Sequence, residues 1–351
     1  MKKTLVVAAG LAVLSTSAFA TKSRMTALNQ DSGRGSYYID DERNAFRTAG
    51  SFGGNYVYVE HGASAASGVG GTAEGGFFRE GSSMSYGLYL NSSEHGQLAS
   101  AAGTVTVEGV NVPVAIDPAR VDLFLKSNSG MNWGVRLGYE SVTVDAQTTT
   151  SGAVITADQD GSAFDLSLNA ELGGANVWLT YVPGTDKVGT TGSNTEADMS
   201  IGATYGYGDH TLFAEYSSEG GSDVANNEAE TTLTIGAGRT MSTDSGMFFY
   251  DVALESISNE GNSDKVSKMA LPVTFGFEAQ ATSWLTWRAS IQQSLFGSRD
   301  NDGKDSSART TTFGVGASLN WGSLRLDGVV SNTAAIGTND LMSNVSAVYN
   351  F

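Results

Sequence analysis

Residues 161–172, which read GSAFDLSLNAEL, decide the fold because polar and apolar side chains alternate along them. The apolar positions are Phe164, Leu166, Leu168, Ala170 and Leu172. The positions between them are Ala163, Asp165, Ser167, Asn169 and Glu171. Since successive side chains of a β-strand point to opposite faces, this period of two predicts a strand with one polar and one apolar face.

The same alternation recurs along the chain, at residues 198–207, 268–280, 284–296, 310–321 and 341–351. A helical period of 3.6 residues nowhere describes the pattern better, so no helix is expected. Strands with an apolar outer face and a polar inner face are typical of barrels that span a membrane. The sequence therefore predicts an all-β fold, a closed antiparallel transmembrane β-barrel.

The connections between these strands alternate between short and long. Short ones lie near residues 129–130, 173–174, 208–209, 244–245, 282–283 and 322–323, and long polar segments separate them. Outer-membrane barrels have short periplasmic turns and longer extracellular loops, which sets the direction of each strand. Counting back from the C-terminus gives about sixteen strands, with fourteen as the alternative count. For residues 92–119, the sequence leaves three alternatives open: an extracellular hairpin, a subunit latch or a loop folded into the lumen.

The first twenty residues have the pattern of an export signal. Lys2 and Lys3 precede an apolar run from Leu5 to Leu14, and an A-x-A site ends at Ala20. We expect cleavage after Ala20, because the apolar run is too short to span a membrane as a helix. The expected organisation is a signal peptide at 1–20, an N-terminal periplasmic or plug-like segment at 21–50, and a barrel at 51–351.

Composition excludes several classes of function. The chain has no cysteine, only three histidines and a formal net charge of −17. An acidic chain does not favour nucleic acid, and no thiolate metal site is available. No spacing of histidine, serine and aspartate indicates a catalytic site, and the acidic loop at 298–305 lacks the spacing of a calcium-binding EF-hand. We expect no enzyme, no cofactor and no metal site.

The charged residues on the inward-facing positions are the candidate functional residues. They are expected to line the lumen, where they set which solutes pass. The candidates are Asp122, Arg136, Glu140, Asp165, Glu171, Glu215, Asp251, Glu255, Glu278, Arg288, Arg325 and Asp327. Because acids outnumber bases among them, an open pore would prefer cations. The alternative is that acids and bases pair across neighbouring strands and only hold the wall together.

The last strand carries a resemblance to a known family. Residues 341–351, LMSNVSAVYNF, resemble the assembly signal of bacterial outer-membrane barrels, with Tyr349 and the terminal Phe351 as its aromatic residues. This resemblance implies a porin-like barrel in the cell outer membrane, inserted by the barrel-assembly machinery. It also implies contact with outer-membrane lipid and lipopolysaccharide, and a homo-oligomer.

The N-terminal segment resembles two further groups of proteins. Residues 23–28 and 37–46 resemble porin-like major outer-membrane proteins of predatory bacteria. The same stretch is similar to the N-terminal plug of fatty-acid transport barrels, although residues 47–50, RTAG, lack the Asn-Pro-Ala element of that family.

Three functions follow as hypotheses. The first is a porin-like barrel for passive diffusion of small hydrophilic solutes and ion transport, with a preference for cations. The second is a structural, poorly conducting oligomeric barrel that organises outer-membrane lipid. The third is a carrier of hydrophobic molecules, which would need an apolar pocket in the lumen.

Overall fold

The computed structural model describes residues 21–62, 73–92, 101–107, 110–116, 119–144, 147–148, 154–156, 159–184, 196–220, 229–260, 265–301, 304–307, 310–330 and 344–351. The predicted signal peptide lies outside these residues. Within them, sixteen antiparallel strands form one closed barrel, as the sequence predicted.

The strands follow one another around the wall in chain order. They are β1 (Tyr56–Gly62), β2 (Ala73–Arg79), β3 (Met84–Leu90), β4 (Ala119–Ser127), β5 (Trp133–Val144), β6 (Gln159–Leu172), β7 (Ala175–Val182), β8 (Asp198–Tyr207), β9 (His210–Glu219), β10 (Ala229–Thr243), β11 (Gly246–Glu260), β12 (Lys265–Thr282), β13 (Leu285–Asn301), β14 (Thr311–Trp321), β15 (Leu324–Val330) and β16 (Asn344–Asn350).

The barrel closes where β1 pairs with β16. Tyr56 lies opposite Asn350 and His61 lies opposite Val345, so the first and last strands leave no open edge. Closure matters because an open sheet edge inside a bilayer would leave backbone polar groups without partners. Short turns lie at one end of the barrel and long connections at the other, as expected.

Burial is reversed relative to a soluble protein, because the wall exposes its apolar side chains on the outside. On β6, Phe164 and Leu172 are 61% and 55% exposed, whereas Asp165 and Ser167 are fully buried. The strand that opened the argument therefore carries its polar face inward. The outer apolar face is the surface that a lipid bilayer would cover.

Among the described residues of the barrel wall, the one proline in the middle of a strand, Pro272, lies at an irregularity. The register of β12 against β13 shifts between Ala270 and Pro272. Because of this shift, the adjacent residues Leu295 and Phe296 are both exposed on the outer face. Proline lacks the N–H that an unbroken ladder needs, so a bulge is the position that tolerates it.

Shorter strands extend the long-loop end. Ala101–Val107 pairs with Val110–Ile116 as a hairpin between β3 and β4, in the segment for which three alternatives were open. Gln147–Thr148 pairs with Val154–Thr156, and Lys304–Ser307 extends the wall beside β13. The last of these lies where a loop was expected.

The N-terminal segment contains the helical structure that the sequence pattern did not predict. Helix α1 spans Lys22–Ala27 and is capped by the Thr21 side chain, and a 3-10 helix spans Glu42–Phe46. Both are only one or two turns long and are buried on several sides, so no apolar stripe of helical period develops. No helix among the described residues is long and apolar enough to cross a membrane.

Candidate functional site

Residues 21–52, called the plug from here on, lie inside the barrel. The plug runs past β1 to β7 on one side of the lumen and β9 to β16 on the other. Lys22 N donates to Glu60 on β1 at 2.6 Å, and Gly50 N donates to Asn169 on β6 at 2.6 Å. On the far side, Ser290 on β13 donates to the Ala27 carbonyl at 2.8 Å. The lumen whose content the sequence left open therefore holds the chain's own N-terminal segment.

Every basic residue of the plug forms an ion pair with a carboxylate of the wall. The pairs are Lys22 with Glu74, Arg24 with Glu278 at 2.5 Å, Arg34 with Glu215 at 2.6 Å, Arg43 with Glu60 at 3.5 Å, and Arg47 with Glu215 at 3.4 Å. The guanidinium groups and carboxylates of these pairs are mostly removed from water. Docking of the plug thus satisfies acidic groups that an empty lumen would leave facing each other across water.

Several predicted lumen residues lie together around α1. Glu278 accepts two hydrogen bonds from Arg24, while Arg288 donates to Glu278 at 2.8 Å and to Asp327 at 3.1 Å. Arg325 and the Thr21 hydroxyl also bond to Asp327, at 2.9 and 3.1 Å. Ser318 on β14 also bonds to Arg288 and Asp327, so this network ties four strands, from β12 to β15, to the first turn of the plug.

Other predicted residues pair within the wall. Asp165 accepts from Arg136 and Arg120, and Asp122 accepts from Arg120 at 2.9 Å. Glu140 lies 3.6 Å from the same Arg120. This cluster fits the alternative reading, in which acids and bases hold neighbouring strands together. Arg120 was not among the predicted residues, although it lies two positions before Asp122 on the same strand and therefore on the same, inner face.

Of the remaining predicted residues, all of them in the described part of the chain, only Asp251 contacts the plug. Asp251 accepts a hydrogen bond from the Tyr38 hydroxyl at 2.6 Å. Glu171 is exposed at the short-turn end, where it accepts from Asn132 at 2.6 Å. Glu255 is half-buried and interacts electrostatically with Lys268.

Sequence reasoning missed the plug's own basic residues and the wall acids Glu60 and Glu74. One signal was available, since five of the 20 basic residues of the chain fall between positions 22 and 47. A second lay in the inward glycines, because a Cβ at Gly314 would collide with the carbonyl of Ala27. Glycine at such a position allows close approach of another backbone.

Two carboxyl groups of the plug are perturbed by burial. Burial raises the pKa of Glu42 to about 8, although the hydrogen bond from the Tyr56 hydroxyl works in the opposite direction. Burial raises the pKa of Asp41 to about 7, partly offset by the Arg24 guanidinium, which lies 2.9 Å from its carboxylate. Both groups are therefore sensitive to pH near neutrality.

Aromatic residues pack the two sides of the plug differently. Toward β1 to β4, Phe46 and Phe52 belong to a buried cluster that also holds Tyr56, Tyr58, Phe78, Tyr89 and Phe124. Toward β9, a single ring makes the contact. Tyr37 stacks on Phe213 with ring centroids 4.4 Å apart, and the Arg47 guanidinium covers its other face at 4.0 Å.

A crevice of about 490 Å³ lies between the plug and the wall at the short-turn end. Its wall side is formed by Lys126 on β4, by Asn132 and by β6 to β9. On these last strands, Glu171, Asn176 and Thr204 lie side by side. Its inner end is formed by Tyr37, Arg47 and Trp178. The crevice is polar, so it does not provide the apolar pocket that a carrier of hydrophobic molecules would need.

No protein-family model and no curated protein matches this chain. Similar solved structures include a bacterial polysaccharide outer membrane secretin, with 8% identity and a TM-score of 0.49, covering 85% of this chain and 97% of that chain. They also include a mutant of the Rh. blastica porin, with 14% identity and a TM-score of 0.38, covering 85% of this chain and 98% of that chain. The closed wall of sixteen strands makes the chain a porin-like barrel.

Proposed function

We propose that this porin-like barrel resides in the cell outer membrane and is closed at rest by its own plug, so that small hydrophilic solutes pass only when the plug shifts. The protein is then a gated, poorly conducting barrel without enzymatic activity. Its inner acids serve first to hold the plug and only secondarily to select ions.

The observation that carries this proposal is the burial of the inner wall. In a water-filled pore, polar side chains on the inner face would be hydrated. Here Asp122, Arg136, Asp165, Thr274 and Ser318, from five different strands, have no exposed surface. Plug and wall side chains cover these positions, so no water-filled channel runs along the wall at any of them.

The preference for cations is expected only after the plug has shifted. At rest, the wall carboxylates Glu60, Glu74, Glu215 and Glu278 each face a basic plug residue. When the plug leaves, these carboxylates face the lumen without those partners. A lumen with an excess of fixed negative charge concentrates cations.

Two features support a location in the outer membrane: the apolar outside of the barrel wall and the last strand. Large apolar side chains cover the outside of the wall, and Tyr349 and Phe351 are exposed there, 52% and 60%. These are the two aromatic residues of the proposed assembly signal, and their position leaves them accessible to an insertion machinery. Export would require the proposed cleavage after Ala20.

A second candidate function is structural, and the wall cluster around Asp165 supports it. The ion pairs of Arg120 and Arg136 with Asp122 and Asp165 join β4, β5 and β6 directly. A wall that is stiff by itself could pack into oligomers that organise lipid. In that case the plug would stay in place under all conditions.

Single-channel recording in planar bilayers tests the proposal. The wild-type chain should give little or no conductance, and a variant lacking residues 21–50 behind its signal peptide should give large, stable openings. Because the deletion could impair folding, a second variant with Arg24→Glu, Arg34→Glu and Arg47→Glu should be recorded beside it. Folding of each is checked by the shift in gel mobility on heating.

The possible results separate the candidates. Large openings of the wild-type chain would overturn closure at rest. If the folded variants and the wild type show no conductance at any voltage or pH, gating is overturned and the structural function is favoured.

A further inference from the structure

We propose that solutes cross the barrel along β7 to β9. The crevice forms the half of this route at the short-turn end, and Tyr37 is its gate. This inference rests on the proposed function, since it names the route and the solute class of the same lumen. The solutes are small, neutral and polar, of the size and chemistry of a polyol or monosaccharide.

The first argument is the thickness of the barrier in different sectors of the lumen. Toward β1 to β4, the barrier is a cluster of seven aromatic side chains with buried alanine and valine between them. Toward β12 to β15, it is a helix held by Arg24, Glu278 and Asp327. Toward β7 to β9, it includes no such cluster or helix, and the Tyr37 ring occupies the space between Phe213 and Arg47 and lies 6.2 Å from the Trp178 ring.

Water reaches this layer from both ends. On the short-turn side lies the crevice, whose inner end is Tyr37 itself. On the other side, Asp31 and Arg34 are partly exposed without lining the crevice, and Arg34 interacts electrostatically with Glu219 near the long-loop end of β9. One tyrosine ring and the groups beside it therefore separate two hydrated spaces.

The gate is held by contacts that can be released singly. The Tyr37 hydroxyl donates to Glu215 at 2.9 Å, and Glu215 also pairs with Arg34 and Arg47. The ring is half-buried, and the crevice beside it has room for an aromatic side chain. A change of side-chain rotamer would move the ring into the crevice without moving the rest of the plug.

The lining of the crevice indicates the solute class. Its charged residues balance, with Lys126 and Arg47 against Glu171 and Asp40, so neither sign of ion is favoured. Among the described residues, the hydroxyls of Thr204 and Thr211 have no hydrogen-bond partner, and they are free to bind a hydroxylated solute. A volume of about 490 Å³ falls in the usual range of small-molecule pockets, roughly 300–1,000 Å³.

Cysteine accessibility tests the route directly, because the natural chain has no cysteine. Thr204→Cys places a thiol in the crevice on β8, and Thr274→Cys places one on the inner face of β12, a fully buried position away from the route. A small, charged methanethiosulfonate reagent is added outside sealed proteoliposomes in which the long-loop end of the barrel faces outward, so that it reaches the crevice only through the barrel. Each thiol is compared with and without Tyr37→Ala.

The route predicts a selective result. Tyr37→Ala should raise the labelling rate of T204C at least tenfold and leave T274C protected. Phe213→Ala, which removes the wall half of the stack, should have the same effect, so the test survives if one of the two gate variants fails to fold. Planar-bilayer openings of the Tyr37→Ala chain should be small and nearly unselective between cations and anions.

The other outcomes count against one proposal or the other. Rapid labelling of both thiols with Tyr37 intact would overturn closure at rest, and with it the proposed function. Protection of T204C in folded gate variants, together with labelling of both thiols once residues 21–50 are deleted, would overturn only the route. Equal increases in the labelling rates of T204C and T274C in the Tyr37→Ala chain would show that the whole plug had left the lumen. This result would also overturn the route.

Discussion

Arg24 in the plug and Glu278 on β12 form a two-pronged ion pair, with Nη2 to Oε1 at 2.5 Å and Nε to Oε2 at 2.9 Å. Paired forks of this kind are the strongest charge-assisted hydrogen bonds between side chains. The arginine is buried, so water cannot replace its partner. This pair is therefore the place where docking of the plug should be most sensitive to mutation.

Arg24→Met should weaken docking of the plug by about 3 kcal/mol, since it removes one partner of a buried pair. Hydrogen exchange of residues 21–52 measures the loss as faster exchange. The matched control is Arg239→Met, which removes the partner of exposed Asp209, at 2.6 Å, and should cost less than about 1 kcal/mol. Equal exchange in the two variants would contradict a docking role for Arg24.

Asp165→Asn should destabilise the barrel without opening it. The change leaves Arg120 and Arg136 buried with one fewer carboxylate, at a cost of about 3 kcal/mol. The free energy of unfolding in detergent measures this cost, and bilayer recording should still show a closed barrel. Openings in the folded variant would place Asp165 in the gate rather than in the wall.

Docking of the plug should weaken as the pH rises from about 5 to about 8. Burial raises the pKa of Glu42 from 4.5 to about 8, so the docked plug holds a proton that the undocked segment releases. A group of this kind stabilises the docked state most below its ordinary pKa, and the advantage is lost as pH approaches the raised value. Asp41, whose pKa is about 7, acts in the same direction.

The measurement is hydrogen exchange of residues 21–52 at several pH values, corrected for the intrinsic exchange rate. Glu42→Gln keeps an acceptor for the Tyr56 hydroxyl and should flatten the dependence. A wild-type plug that becomes better protected between pH 5 and 8 would rule out this account.

Deletion of residues 21–50 should give a cation-selective pore. Removing residues 21–50 takes away five basic and four acidic residues, and it leaves the wall carboxylates that paired with those bases facing water. The reversal potential under a salt gradient should lie near the value for cations alone. Adding Glu215→Gln and Glu278→Gln should shift it toward zero, and an unchanged potential would show that selectivity arises elsewhere.

The barrel could be predicted from local sequence because alternation, turn residues and strand length are all local properties. The structure confirms the closed wall of sixteen strands, and the short turns at Gly173 and Gly322 fall where they were expected. Helix α1 was missed, since six residues are too few to show a helical period.

The lumen could not be predicted in the same way. The acids were recognised as inward-facing, but their partners lie far away in the chain, and Arg24 and Glu278 are separated by 254 positions. An acidic wall alone fits an open cation pore equally well. The cluster of basic residues between 22 and 47 was visible, yet its meaning depended on where the segment lies in space.

The sequence by itself determined the wall, the direction of its faces and the placement of acids on the inside. The reason is that polar and apolar residues alternate with a period of two along each strand, which assigns every side chain to one of the two faces. Only the tertiary structure decided that the N-terminal segment lies inside the lumen. The pattern of a single strand carries no information about the space that the closed barrel encloses. The N-terminal segment occupies that space through ion pairs that form only after the barrel has closed. Of the acids that suggested an open path for cations, Glu215, Glu278 and Asp327 instead hold the N-terminal segment in the folded protein.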